Sequence, residues 1–78
     1  MAQWKQVDVQ GRLHVITSGD RAGRVEKDGG HYDAKIGRRR THPETGARYW
    51  TWSKVGWYPT VAAGKEAVEE QLPQLVAD

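Results

Sequence analysis

A chain of 78 residues makes one domain with a small core, since at this length about 60% of the unfolded surface is buried on folding. Twelve Lys and Arg against ten Asp and Glu give a net charge of +2, and the chain has four Trp, three Tyr, no Phe and no Cys. The missing cysteines exclude disulfides and thiolate-bound zinc. The longest apolar runs fall far short of the ~20 residues of a membrane span, and Met1-Ala2-Gln3-Trp4-Lys5 opens no apolar signal segment. The expectation is a cytoplasmic location, no membrane contact and no cofactor.

Charge is spread unevenly. Residues 1–60 hold eleven basic residues and six acids, and residues 61–78 hold one and four. A basic sheet backed by an acidic helix would turn one face to an anionic partner. The plainer alternative is a mixed, solvated surface.

Trp4 to Val9 and Arg12 to Thr17 alternate in polarity around Gln10-Gly11, which predicts an N-terminal hairpin over residues 1–17. Ser18 to Gly23 is a loop by composition, and its glycines match no phosphate-loop spacing. Arg24-Val25-Glu26-Lys27 is a short strand and Asp28-Gly29-Gly30 a hairpin turn. From His31 to Ile36 the pattern sends Tyr32, Ala34 and Ile36 toward the core. Gly37 to Gly46 is a long polar connection that carries Arg38-Arg39-Arg40 and the turn residues Pro43 and Gly46.

The stretch from Arg48 to Thr60 holds three of the four tryptophans and two of the three tyrosines. It reads as the last long strand, starting near Ala47 and running to about Val55, with Gly56 allowing a bend or bulge. Tyr58 precedes Pro59 and is held extended, so no helix starts before Pro59. Thr60 is the N-cap candidate. Val61, Val68, Leu72 and Leu75 then share one helical face, with Ala67 and Val76 beside it. Gly64 either weakens this helix or lets it approach the sheet closely, and Pro73 ends it. The fold class is α+β: a small antiparallel sheet of three to five strands, with one C-terminal helix packed on one face. It divides into the hairpin at 1–17, a three-stranded sheet at 23–58 and the helix at 60–76.

Nothing in the chain reads as catalytic. His14, His31 and His42 fall in three different elements, with no i, i+4 pair and no nucleophile motif. His31 with Asp33 reads as a solvated surface pair, and Glu66, Glu69 and Glu70 as a solvated helix face.

Binding is better supported. Arg38, Arg39, Arg40 and Arg48 can neutralise phosphates, and arginine can fork onto guanine edges. Trp50 and Trp52 are two apart and share a strand face. They are either stacking platforms for unpaired bases or part of the core. Trp57, beside the helix start, is expected to be a packing anchor.

The residues Gly23-Arg24-Val25, Gly30 to Ile36, Gly46 to Trp50 and Val55 to Thr60, leading to Lys65-Glu66-Ala67, run in the order strand, glycine turn, strand, basic connection, aromatic strand, helix. That order, over residues 23–71, resembles the plant ethylene-responsive-factor DNA-binding domain and the arm-type domain of tyrosine-recombinase integrases. The resemblance implies a three-stranded sheet, backed by one helix, whose open face enters a major groove. It implies base or backbone contacts from Arg24, Lys35, Arg48 and Trp50, with Arg38, Arg39 and Arg40 on phosphates. Trp52 would share the open face with Trp50, and a bulge near Trp50 would be needed to keep a core on the other side. The expected function is therefore a small non-enzymatic module for nucleic acid, most of all DNA, acting through a basic sheet face and the 37–48 hairpin end. The alternative is a protein-interaction module, such as a small phage- or plasmid-type protein that modulates a host partner. Oligomeric state is open.

Overall fold

A computed structural model describes residues 3–75. Its strands are β1 (Lys5–Gln6), β2 (Leu13–Ser18), β3 (Arg21–Asp28), β4 (His31–Thr41) and β5 (Arg48–Tyr58), followed by α1 (Val61–Gln71) and a 3-10 turn, Pro73–Leu75. The strands form one antiparallel sheet in sequence order, β1-β2-β3-β4-β5. The helix packs on one face of this five-stranded meander. Val76, expected on the apolar face of the helix, lies outside the described residues.

The core lies between sheet and helix. Ile16, Val25 and Ala34 from three neighbouring strands meet Val68 of α1 and Leu75 of the 3-10 turn. Trp4, Tyr32, Ile36, Val55, Tyr58 and Leu72 pack around them. Tyr32, Ala34 and Ile36 thus face the core as their alternation predicts. Two glycines set how closely the helix sits. A Cβ at Gly64 of α1 would stand 2.9 Å from Cγ1 of Val25, and a Cβ at Gly23 of β3 would run into Cγ1 of Val68. The helix starts where its cap dictates: Thr60 is extended, and its hydroxyl accepts from the Ala63 N–H at 3.1 Å. Pro73 follows directly on the C-cap, Leu72, whose N–H bonds the Val68 carbonyl at 2.9 Å.

Five predicted boundaries move. The last strand continues past Val55 to Tyr58, and the helix expected over 60–76 ends at Gln71, because Pro73 cannot continue it. The loop expected over Ser18 to Gly23 shrinks to Gly19-Asp20, and Gly19 at φ 61° supplies the left-handed position of a tight hairpin. Ala22 and Gly23 are small because they are buried in β3, opposite Thr17 and Ile16. The connection expected from Gly37 shrinks in the same way, because β4 runs through Arg38, Arg39 and Arg40 to Thr41. Gly37 is small because the Trp52 ring lies across it. The strand expected from Trp4 to Val9 is reduced to two residues. Beyond it the Asp8 carboxylate accepts from the N–H groups of Arg12 (2.8 Å) and Leu13 (3.1 Å) and turns the chain.

The N-terminal hairpin extends the sheet beyond β3 instead of folding over it. One sheet face therefore carries the helix, and the other is left open by the described residues.

Candidate functional site

Strand alternation and register decide which side chains share the open face. Rows run across β3, β4 and β5: Arg24–Lys35–Lys54, then Ala22–Gly37–Trp52, then Arg39–Trp50 and Thr41–Arg48 on the outer two strands. In the other direction lie Glu26–Asp33–Trp57 and then Asp28–His31.

The register slips between Ala34 and Lys35, where Gly56 and Lys54 are the partners and Val55 is the extra residue. This bulge lies five residues beyond Trp50, near which the sequence asked for one. An extra residue inverts the alternation of everything after it. Before the bulge Trp50, Trp52 and Lys54 point to the open face. After it Trp57 does, while Val55 and Tyr58 turn to the core. A single bulge thus puts three tryptophans on one face and still leaves β5 a core side.

Trp57 is consequently not the packing anchor expected from the sequence. It is 60% exposed, with the Lys54 ammonium 3.8 Å from its ring centroid and the His31 ring 5.1 Å away. The other two indoles also have cations beside them. The Arg39 guanidinium is 4.9 Å from the centroid of Trp50, and that of Arg24 is 5.6 Å from Trp52. Trp50 and Trp52 lie 6.0 Å apart at 33°. Aromatic rings and cations therefore alternate over the face, each cation within the range in which the ring quadrupole attracts it.

The face is electrically graded. Near the β3–β4 turn, Arg24 pairs with Glu26 at 3.1 Å and Lys35 with Asp33 at 3.7 Å, so these two cations are partly offset. At the opposite end Arg39 and Arg48 have no carboxylate partner among the described residues. Here β4 and β5 run on past Arg21, the first residue of β3, as a two-stranded arm. The arm is rooted where the Arg39 N–H donates to the Asp20 carbonyl at 2.8 Å. Its tip is fixed by local bonds. Nδ1 of His42 accepts from the N–H groups of Glu44 (3.2 Å) and Thr45 (3.4 Å), and the His42 N–H reaches the Ala47 carbonyl at 2.8 Å. His42 thus works as a turn brace.

Of the residues singled out in the sequence, the open face brings together Arg24, Lys35, Arg39, Arg48, Trp50 and Trp52. Arg38 and Arg40 alternate onto the opposite face, the one that carries the helix. Sequence reasoning missed Lys54 and Trp57, although the Val55-Gly56 step was the available signal for the inversion that places them. Arg21, in the segment that looked like a loop, is the first residue of β3 and lies opposite Arg38 on the helix-bearing face. Among the described residues no group of three or more His, Asp or Glu side chains is placed to hold a metal ion. No described helix is long and apolar enough to cross a membrane. No family model matches the chain, and no match was found among curated proteins or solved structures.

Proposed function

We propose that this chain is a non-enzymatic nucleic-acid-binding module that uses the open sheet face and the arm. The observation that carries the reading is the set of three indoles on one uncovered face, each with a cation within 6 Å. Bases stack on such rings for roughly 1–3 kcal/mol each. Arg39 and Arg48, without carboxylate partners among the described residues, suit phosphates, whose neutralisation releases counterions. A two-stranded ribbon such as the arm fits a DNA major groove.

The test replaces Arg39→Gln and Arg48→Gln together. Affinity for a DNA oligonucleotide should fall, and the slope of log affinity against log salt should shrink by roughly 0.9 for each duplex phosphate that is no longer neutralised. Unchanged affinity and slope would remove these residues from the interface.

A second reading rests on a different observation. β5 is an edge strand of 11 residues whose outer side no described strand pairs. A protein partner could add a strand there, with exposed Trp57 and Tyr49 as anchors. Retained partner binding by the Arg39/Arg48 double variant, with no oligonucleotide binding by the wild type, would favour it.

A further inference from the structure

On the helix-bearing face, just beyond the end of α1, a cleft of about 200 Å³ is walled by Arg21, Arg38 and Arg40. Arg21 and Arg38 are direct cross-strand partners, and Arg40 follows two residues along the same face of β4. Like charges set opposite each other on a sheet destabilise it. Arg21 meets only the exposed Asp20 carboxylate, at 3.5 Å, and no described carboxylate pairs with Arg38 or Arg40. The cleft also touches the half-buried side chains of Ile36 and Leu72. Two hydroxyls complete the lining. That of Thr51 donates to the Arg38 carbonyl at 3.3 Å, so its proton is committed. Ser53, opposite Ile36, has no described partner, and its proton is left to donate to a ligand.

We infer that this cleft binds a phosphoryl group, through Arg21, Arg38 and Arg40 with Ser53 as the hydroxyl donor. Planar guanidinium forks match phosphate oxygens in pairs, and three of them around one cleft suit a tetrahedral oxyanion better than a flat carboxylate. The group is either a phosphodiester of a nucleic-acid strand that wraps the root of the arm or the phosphate of a small molecule. The cleft lies on the face opposite the three tryptophans and does not depend on what they bind.

The experiment titrates inorganic phosphate into the full chain at constant ionic strength and follows backbone amide shifts. Shifts should concentrate at residues 21, 36–40, 51–53 and 72. Replacing Arg38→Gln and Arg40→Gln together should weaken binding by about tenfold or more, as expected when hydrogen bonds to a charged group are removed. The pair Arg12→Gln with Lys27→Gln makes the same change of charge at exposed positions at the other end of the sheet and should weaken it by less than about threefold, the scale of an exposed charge effect. Equal losses in the two double variants, or no shifts around the cleft, would overturn the inference. Displacement of phosphate by a DNA oligonucleotide would identify the phosphodiester as the ligand. Phosphate that stays bound beside the oligonucleotide, or binds when no oligonucleotide does, would identify the small-molecule phosphate. In the last of these cases the open-face reading fails and the cleft stands.

Discussion

Trp52 lies across Gly37 on the neighbouring strand, so closely that a Cβ on residue 37 would stand 2.8 Å from the indole. The glycine is the seat of the ring, and the ring covers backbone that a strand glycine would leave bare. This packing sets the level of the indole at the middle of the open face.

The substitution Gly37→Ala therefore forces the ring off its seat. The methyl group meets a rigid aromatic body, and overpacking of this kind costs roughly 1–3 kcal/mol. Urea unfolding should show that loss, together with a shift in the Trp emission maximum of the folded protein. A variant as stable as the wild type, with the same emission, would mean that Trp52 is not seated there.

Gly23 and Gly64 make the same kind of demand at the helix. In α1, alanine would gain ~1 kcal/mol of helix propensity over glycine. The Gly64→Ala methyl, however, would stand 2.9 Å from the buried Val25 side chain. Because Val25 is β-branched and fully buried it cannot swing away, so the clash should outweigh the propensity gain. Gly64→Ala is expected to destabilise, and Gly23→Ala, whose methyl runs into Val68, to destabilise more. Equilibrium unfolding of both variants checks the order. A stabilised Gly64→Ala protein would show that the helix stands further from the sheet.

Removal of Trp57 separates a surface role from a core role. A buried indole truncated to alanine costs roughly 3–5 kcal/mol. At 60% exposure the Trp57→Ala change should cost less than about 1.5 kcal/mol, mainly because Lys54 and His31 no longer have the ring to pack against. A calorimetric loss in the larger range would place Trp57 in the core.

Thr60→Ala removes the acceptor of the Ala63 N–H and should cost about 1 kcal/mol, whereas Thr60→Asp keeps an acceptor and should retain most of the stability. Equal losses in the two would show that the cap contributes through backbone shape alone.

The residues that were legible in sequence are those whose reason is local. Thr60 after Pro59 announces the helix, the alternation of Tyr32, Ala34 and Ile36 announces the core face, and Gly29 at φ 64° serves the turn its neighbours promised. Residues whose reason is tertiary were not legible. Ala22, Gly23 and Gly37 look like loop chemistry until Val68 and Trp52 are placed against the two glycines. The candidate site divides along the same line. Trp50, Trp52, Arg39 and Arg48 share a face because they are an even number of residues apart or paired in register. Trp57 joins them only through the Val55 bulge, and Arg38 and Arg40 leave them by simple alternation.

The most direct test of the nucleic-acid reading is a Trp-fluorescence titration of the full chain. The partners are random duplex DNA and a single-stranded oligonucleotide, each at two salt concentrations. Binding should quench the fluorescence, with an affinity that falls steeply with salt, by roughly 0.9 log unit per log unit of salt for each duplex phosphate neutralised. Stronger quenching by the single strand would assign Trp50, Trp52 and Trp57 to base stacking. No binding by the folded protein at the lower salt concentration would contradict nucleic-acid binding and leave the open face to a protein partner.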